Sequence, residues 1–374
     1  MFHIIIAKII PWLNSQNGAL MSLNYIVKYT FLFFELVEMK MSFTYDINMT
    51  AITPNQLESF LQTTLDSTDI HGIGEKYEGK VRDVYLQKDH KRRFLIATDR
   101  QSAFDINWTT IPLKGQVLTQ ISRWWFDQIS DIMQTQVIAN PDPNVVVVKD
   151  LAMAPIEIVI RAYLTGSSKT SSWMNYNAGM REYCGNTLPE GMVKNQKFDD
   201  IIVTPTTKGE DDELIDPKGI IEQGLATKEQ WEEISEKACA VFRRGQELAN
   251  KRGLILVDTK YEMGYDENGI LTIADEVHTP DSSRYWMADS YEKRFSQGLE
   301  PESLDKEFFR LWLREQGFEY GDKSTWPEIT DDVRIMLALK YIDLFERVTG
   351  QDFTLPNNPN IGVRIQENLS DFVE

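Results

Sequence analysis

The sequence predicts a globular fold in which β-strands and α-helices are mixed, and two segments carry this prediction. Residues 254–257 form a short apolar run typical of a buried strand, and alternating residues continue it toward Asn268 and Gly269, a strong hairpin signal. Residues 228–252 instead have apolar side chains at helical spacing. With 374 residues, 42% of them hydrophobic and 26% charged, the chain can bury the core of two domains or of one large domain with a lobe.

The other elements follow from the same two periodicities. The long helix at 228–252 begins at a capping box formed by Thr227 and Gln230 and stops at Gly253. Apolar residues recur at helical spacing in 116–133, so the aromatic side chains there are expected in the core. In chain order, helices are predicted at 56–65, 116–133, 228–252, 302–316 and 331–349, and strands at 79–87, 93–98, 145–148 and 155–164 and in the hairpin.

The chain is strongly acidic, with 57 Asp and Glu against 39 Lys and Arg and a net charge of −18. Such a field repels polyanions, so neither nucleic acid nor an anionic membrane is expected as a partner, and an anionic substrate needs local basic residues. Cys184 and Cys239 are too few for a disulfide framework and indicate a reducing, cytoplasmic setting. The four histidines are scattered, which gives no support to a zinc site or a histidine-based triad.

Residues 1–40 differ from the rest of the chain. Their two apolar stretches, at 4–13 and 26–37, are too short for a membrane span. They also lack the basic region and the small-residue cleavage site of a signal peptide. We interpret 1–40 as an N-terminal extension that is not part of the fold, with a later methionine as the true start; a weak membrane-surface anchor is the alternative.

The hairpin places Asp258, Lys260 and Glu262 on one face of its first strand. A two-residue turn at its tip would set Glu262 directly opposite Asp275, where two carboxylates repel each other unless a cation lies between them. Mg²⁺ commonly takes one or two carboxylates and leaves its other positions to water and substrate phosphates. The pattern therefore predicts a magnesium-nucleotide site, and the alternative is a solvated polar face with an ordinary surface ion pair.

Further segments offer groups for anions. Gly79 lets the backbone approach a phosphate, with Lys80 and Arg82 on one strand face, although a plain basic hairpin has the same pattern. Glu157 and Arg161 also share a strand face, where the guanidinium either grips a carboxylate or phosphate or pairs with Glu157. The remaining candidates for binding anions lie in three small polar loops. These are 165–168 with Ser167 and Ser168, 205–210 with Lys208, and 281–284 with Asp281, Ser282 and Arg284.

Taken in chain order, these segments resemble those of one known family. They are YEGKVRDVY, DRQSAFD, PIEIVIRAYLTGSS, PTTKGE, DTKYEMG and ADEVHTPDSSRYW, as in phosphoribosylaminoimidazole-succinocarboxamide synthase, the SAICAR synthetase of purine biosynthesis. The resemblance covers 77–286 and extends to QDFTLP at 351–356, whereas 1–40 departs from it. It implies an α+β, SAICAR-synthase-like fold similar to ATP-grasp enzymes, with a smaller β-rich nucleotide lobe at 41–152 and a larger α/β lobe at 153–374.

The resemblance also implies an ATP-dependent ligase. Such an enzyme uses ATP and Mg²⁺ to join the 4-carboxylate of carboxyaminoimidazole ribonucleotide to the amine of L-aspartate through an acyl phosphate, and it releases ADP and phosphate. Its partners would be these small molecules, with the chain as a monomer or a small homo-oligomer. Another ATP-dependent ligase or kinase, or a nucleotide-sensing module without turnover, is the competing interpretation. The anion-binding loops beside Arg161 and Arg284 favour the ribonucleotide ligase, and the presence of Glu262 and Asp275 favours turnover.

Position by position, the resemblance assigns roles to residues of this chain. Lys260 and Arg161 are expected as catalytic groups, and Glu262 and Asp275 as metal ligands. The residues expected to bind the nucleotide are Gly79, Lys80, Arg82, Lys260 and Met153, the last through its backbone beside the adenine. Those expected to bind the substrates are Arg161, Ser167, Ser168, Asp281, Ser282 and Arg284, with Lys208, or less directly Lys169, at the carboxylate of aspartate.

Overall fold

The computed structural model describes residues 50–104, 106–209 and 212–373, and Met49–Glu374 forms one compact unit. The predicted extension at 1–40 lies outside the described residues. The predicted lobe boundary between 152 and 153 stays a prediction. Within the described part of the chain, no helix is both long and apolar enough to cross a membrane.

The described strands are labelled in chain order. They are β1 (Glu75–Glu78), β2 (Arg82–Gln87), β3 (Arg92–Ala97), β4 (Arg100–Ala103), β5 (Ile106–Thr110), β6 (Gln134–Thr135), β7 (Val137–Asp142), β8 (Val145–Lys149), β9 (Ala152–Met153), β10 (Ile156–Tyr163), β11 (Glu182–Tyr183), β12 (Asn186–Thr187), β13 (Lys197–Val203), β14 (Thr206–Thr207), β15 (Leu254–Tyr265), β16 (Leu271–Ala274) and β17 (Ser283–Met287).

The described α-helices are α1 (Pro54–Glu58), α2 (Lys114–Ile129), α3 (Ser172–Asn177), α4 (Pro217–Glu222), α5 (Lys228–Asn250), α6 (Ala288–Ser296), α7 (Glu307–Glu315), α8 (Asp331–Thr349) and α9 (Ile361–Asn368), and short 3₁₀ turns lie at Lys88–His90, Lys323–Thr325 and Ser370–Phe372. The predicted capping box of Thr227 and Gln230 is present at the start of α5. The helix predicted at 56–65 is shorter and begins earlier, because Pro54 occupies its first turn behind the N-cap residue Thr53.

Strands from the first part of the chain form a five-stranded antiparallel sheet in the order β1-β2-β3-β8-β7. Its core side is apolar because alternate residues point inward: Phe94 of β3 lies opposite Val147 of β8, and both are fully buried. Strands β4 and β5 form a separate hairpin directly after β3. The sheet therefore carries the loop at Gly79 and Lys80 on one side and leads into the DRQSAFD hairpin on the other.

A larger sheet has the order β13-β10-β15-β16-β6, with β9 and β17 also paired to the long central strand β15. Helix α5 packs against β15 with residues spaced three or four apart. The helix comes close to the sheet at Gly245, where a Cβ atom would lie 2.3 Å from Cε1 of His278 and 2.7 Å from Cδ2 of Leu256. Glycine is therefore required for this approach, and it fixes β15 against the helix.

The hairpin exists as predicted, but its register differs from the prediction by one residue. Tyr265 pairs with Leu271, and Glu262 therefore lies opposite Ala274 rather than Asp275. The cause is a longer loop, in which Gly269 at φ +75° donates to the carbonyl of Asp266 over 2.9 Å. The expectation of a two-residue turn with Glu262 facing Asp275 is thus wrong, because the Asp266 carboxylate accepts the backbone N–H groups of the third and fifth loop positions and stabilises the extra residue.

The C-terminal segment packs on the first part of the fold. Helix α8 contacts α1 and α2, and Arg364 of α9 binds both carboxylate oxygens of Asp142 at 2.9 and 3.0 Å as well as the side chain of Asn144. Asn144 in turn donates to the carbonyl of Ala97 over 2.9 Å. The tail is therefore tied to the β7–β8 turn by a charged group that is almost completely buried.

We expect Arg364→Ala to lower the free energy of unfolding by about 3 kcal/mol, because the fully buried carboxylate of Asp142 loses its cation. The same substitution at Arg243, whose ion pair with Asp200 is largely exposed, should cost at most about 0.5 kcal/mol. Urea unfolding of both variants measures the difference. Equal stability of the two variants would contradict the structural role given to Arg364.

Candidate active site

The central strand β15 carries a row of charged groups on one face. Asp258 accepts hydrogen bonds from Arg161 of β10, at 3.2 Å, and from Arg284 of β17. Both arginines stand on strands that pair directly with β15. The sheet register therefore brings the two predicted guanidinium groups to one carboxylate, as the sequence could not show.

The two arginines are held to different degrees. Arg161 uses all three nitrogens on protein partners, which are Asp258, the hydroxyl of Thr204 and the carbonyl of Thr170. For Arg284 the described hydrogen bond goes to Asp258, and its guanidinium lines two adjoining cavities. Arg161 is thus fixed in place by the fold, whereas Arg284 presents more of its donor set to the space around it.

Lys260 stands among carboxylates. Its ammonium lies 2.5 Å from Glu157 and 3.7 Å from Glu262. Burial alone would lower the pKa of Lys260, but the negative charges of Glu157, Glu262 and Asp275 outweigh burial and raise this pKa above its usual value. Lys260 is therefore a permanent cation at neutral pH, suited to neutralise phosphate charge and unsuited to act as a base. Glu157 pairs with Lys260 and not with Arg161, so the internal ion pair considered above is not formed.

The two predicted metal ligands are each paired with a cation. Glu262 binds Lys208 as well as Lys260, and Asp275 accepts from Arg82 over 2.8 Å. Asp275 has φ +57°, so the chain turns sharply at the end of β16 and its carboxylate leaves the ladder. The repulsion expected between facing carboxylates is therefore absent, and cations already balance both groups.

Many of the predicted substrate residues line one groove of about 200 Å³. It is open to solvent and contains both signs of charge. Its lining residues from the predicted set are Arg161, Ser168, Lys260, Asp281, Ser282 and Arg284. Ser167 lines a smaller adjoining cavity with Arg284 and donates to Glu307 over 2.8 Å. The groove thus joins three separate sequence segments around β15.

The predicted nucleotide residues lie along a path from this groove to the five-stranded sheet. Gly79 and Lys80 form an exposed loop whose carbonyls accept from Arg100. Arg82 follows them and reaches across to Asp275 and Glu276. Met153 pairs with β15 two residues beyond Glu262. The two sheets thus meet at the Arg82 contact, between the exposed loop and the carboxylates.

Several groups of the groove carried no signal in the sequence. Lys306 and Arg310 flank the start of α7 and line the groove, yet the segment around them reads as an amphipathic helix. Lys114 is completely buried against Asp281 at 2.8 Å. Burial alone would raise the pKa of Asp281, but Lys114 and Lys306 outweigh burial and hold this pKa well below its usual value. Only the three-dimensional contacts identify these lysines, because they are distant from Asp281 in sequence.

The predicted metal ligands Glu262 and Asp275 were compared with the chemistry that Mg²⁺ requires. In the described residues, no group of three or more His, Cys, Asp or Glu side chains is arranged to hold a metal ion. Two carboxylates with neighbouring cations suit Mg²⁺, which takes few protein ligands and completes its shell with phosphates and water. Glu262 and Asp275 are ligands of this type, and the ammonium of Lys260 lies 3.7 Å from Glu262.

Comparison with known proteins identifies relatives over most of the chain. A family model described as SAICAR synthetase matches residues 75–326. The phosphoribosylaminoimidazole-succinocarboxamide synthase of Legionella pneumophila is 46% identical over 79% of this chain and 95% of that protein. The chloroplastic protein of the same name from Arabidopsis thaliana is 46% identical over 84% of this chain and 77% of its own length.

Solved structures show the same likeness. A SAICAR synthase from Saccharomyces cerevisiae, complexed with SAICAR, matches with a TM-score of 0.67 at 29% identity, over 78% of this chain and 100% of that chain. A type-2 SAICAR synthetase in complex with ADP matches with a TM-score of 0.57 at 25% identity, over 75% of this chain and 100% of that chain. The mixed helices and sheets described above are therefore an α+β fold of this type.

We expect Glu262→Gln to destabilise the ligand-free protein by about 1 kcal/mol, because Lys208 and Lys260 lose a carboxylate partner. Glu267→Gln, in the exposed loop of the same hairpin, is the matched control and should change stability by less than about 0.5 kcal/mol. Thermal and urea unfolding without ligands measure both. A Glu262→Gln protein more stable than wild type would show that carboxylate repulsion, not cation pairing, dominates there.

Proposed function

This chain belongs to the SAICAR synthetase family, and from that premise we propose how its own residues perform the reaction. The reaction of de novo purine biosynthesis joins the 4-carboxylate of carboxyaminoimidazole ribonucleotide to the amine of L-aspartate, consumes ATP and gives SAICAR, ADP and phosphate. The observation that carries the proposal is the row of Asp258, Lys260 and Glu262, in which two arginines bind Asp258, and both Asp258 and Lys260 line the groove.

The chemistry begins with a poor acyl donor. A carboxylate oxygen attacks the γ-phosphorus of ATP, the bond to the β-phosphate oxygen breaks, and an acyl phosphate forms while ADP leaves. The amine of aspartate then attacks the acyl carbon, inorganic phosphate departs with the bonding electrons, and the nitrogen loses a proton. Both steps need positioning and charge neutralisation more than covalent help from the protein.

ATP occupies the region between the two sheets. Gly79 and Lys80 approach the phosphates from the exposed loop, and the backbone at Met153 borders the adenine. Lys260 and Arg82 neutralise phosphate charge from the opposite side, since both are held as cations by neighbouring carboxylates. The related structure that contains ADP supports nucleotide binding in this family.

Glu262 and Asp275 would hold Mg²⁺. The ion supplies charge neutralisation on the transferred phosphoryl group and orients its oxygens. The two carboxylates are held near this position by Lys208, Lys260 and Arg82 before any ligand arrives. These cations keep the ligand-free site balanced and then face the phosphates.

The ribonucleotide lies along the groove. Arg284 and Ser168 bind its anionic groups from the rim, and Ser167 adjoins them in the neighbouring cavity. Arg161, which Thr204 and Asp258 hold in place, presents its fixed charge to the carboxylate that reacts. Asp281 and Ser282 supply polar contacts from the loop before Arg284.

Lys208 is the proposed partner for a carboxylate of aspartate, with Lys169 as the second candidate. Lys208 is partly exposed and already binds Glu262, so it stands at the edge of the magnesium position. We also propose a cytoplasmic location and small-molecule partners only. The thiols of Cys184 and Cys239 are both free, as a reducing compartment would keep them.

The activity is tested with purified protein, carboxyaminoimidazole ribonucleotide, ATP, Mg²⁺ and a panel of amino acids. We expect succinocarboxamide product and ADP in equal amounts with L-aspartate, and product below a tenth of that level with glutamate or glycine. Chromatography of the amide and a coupled ADP assay give the two readouts. Equal turnover with glutamate, or ADP release without amide, would refute the assignment.

Arg284→Ala should weaken binding of the ribonucleotide by about 2–4 kcal/mol, because an anionic substrate group loses charge-assisted hydrogen bonds. Binding of ATP should stay nearly unchanged. Arg161→Ala should have the same selectivity and should also lower the melting temperature, since three protein contacts are lost. Titration calorimetry with each ligand and a thermal melt separate the two effects. Arg123→Ala, on the exposed face of α2, is the control, and a loss of ATP affinity with unchanged ribonucleotide affinity would disprove the assignment.

A further inference from the structure

Asp281 is held from three sides by groups that come from different helices and loops. Its Oδ2 atom lies 2.8 Å from the ammonium of Lys114 on α2 and 3.6 Å from that of Lys306 before α7. Its Oδ1 atom accepts a hydrogen bond of 3.1 Å from the hydroxyl of Tyr341 on α8. The Asp281 side chain is only 4% exposed, and the residue lines the groove, so the carboxylate is anchored from behind and reaches the groove with a small part of its surface.

Tyr341 lies between the last two shared motifs, ADEVHTPDSSRYW and QDFTLP, and belongs to neither. It lies in α8, beyond residue 326, where the match to the family model ends. Its hydroxyl also contacts the side-chain carbonyl of Gln101 at 2.9 Å, and its ring lies 5.5 Å from the ammonium of Lys114. One buried phenol thus contacts the DRQSAFD hairpin, helix α2 and the substrate loop.

The hydroxyl of Tyr341 has a single proton, so it can donate one full hydrogen bond, either to Oε1 of Gln101 or to Oδ1 of Asp281. The Nε2 atom of Gln101 is buried without a hydrogen-bond partner among the described residues. Rotating the Gln101 amide group by 180° exchanges its oxygen and nitrogen, which have nearly the same shape. In that orientation Nε2 donates to the phenol oxygen. The phenol proton then belongs to Asp281, and the order of donation runs from Gln101 to Tyr341 to Asp281.

We propose that Tyr341 is a positioning residue for the reaction: it fixes the Asp281 carboxylate so that the part of it that borders the groove accepts a neutral hydrogen-bond donor, a hydroxyl or amino group, of the ribonucleotide. This inference rests on the proposed function of the groove. We assign the donor to the ribonucleotide because Ser282 and Arg284, which share the loop of Asp281, line the same groove. Gln101 acts through Tyr341 and not on the substrate.

The surroundings of Asp281 explain why a hydroxyl is needed in addition to two lysines. The described hydrogen bond from Lys114 goes to Oδ2, whereas the one from Tyr341 goes to Oδ1. A carboxylate held at one oxygen can rotate about its bond to Cβ, whereas contacts at both oxygens fix its plane. Asp281 and Tyr341 also interact with other charged groups nearby, which are Lys114, Lys306, Arg82 and Asp305.

The test compares Tyr341→Phe with wild type in steady-state kinetics and in titration of the ribonucleotide. Phenylalanine keeps the ring that adjoins Lys114 and removes only the hydroxyl. We expect the KM and Kd for the ribonucleotide to rise about 5- to 10-fold, with kcat and the KM for ATP within about twofold of wild type. A purely structural role would instead lower kcat and the melting temperature and leave the KM for the ribonucleotide unchanged, and that result would overturn the proposal.

Two further variants complete the test. Tyr176→Phe removes another buried phenol hydroxyl, one that binds backbone groups of Pro189 and Met192, and should leave the KM for the ribonucleotide unchanged. Gln101→Met should raise that KM less than Tyr341→Phe and should add nothing in the Tyr341→Phe background; full additivity would show that Gln101 acts by another route. Lack of succinocarboxamide formation by the wild-type protein would refute the proposed function itself, whereas normal wild-type activity with an unaffected Tyr341→Phe variant would refute this inference alone.

Discussion

The charged row on β15 determines the arrangement of the site, because each of its members is bound by a group from another segment. Asp258 takes its partners from β10 and β17, Lys260 takes Glu157 from β10, and Glu262 takes Lys208 from the loop after β14. Removing such charges from water is costly unless they are paired, so the pairing fixes the relative positions of these strands. Strand pairing and charge pairing therefore support one arrangement of the groove, in a protein whose net charge of −18 would otherwise repel its substrates.

A site of this kind receives anionic ligands by exchange of partners. Before binding, Lys260 and Arg284 are each held by a carboxylate, so their side chains are already ordered and their charges are retained. A phosphate or carboxylate that enters the groove then either replaces a protein carboxylate at one of these cations or binds the same cation beside it. Arg161 has every nitrogen engaged and acts as a fixed charge, whereas Arg284 has donors to offer. Preorganisation of this sort lowers the entropy lost when the substrate binds.

The sequence was sufficient wherever local patterns determine structure. The helix α5 with its capping box, the buried strand β8 and the existence of the β15–β16 hairpin all follow from periodicity and caps. The hairpin register did not, because Asp266 stabilises a longer loop than the Asn-Gly signal suggests. Ion pairs such as Lys114 with Asp281 join residues more than a hundred positions apart, so only the folded chain brings them together. The motifs located the groove, and tertiary contacts determined which charge faces which.

The C-terminal segment has two tasks that one packing arrangement explains. Arg364 fixes the β7–β8 turn through Asp142, and Tyr341 reaches Asp281 beside the groove. Both contacts require α8 and α9 to stay packed on α2 and the five-stranded sheet, because each uses a buried partner. A change that loosens this segment would therefore free the substrate loop as well as the turn, even where the changed residue lies far from both in the sequence. The geometry of the groove thus depends on a residue outside the shared motifs, because Tyr341 reaches Asp281 only while α8 is docked.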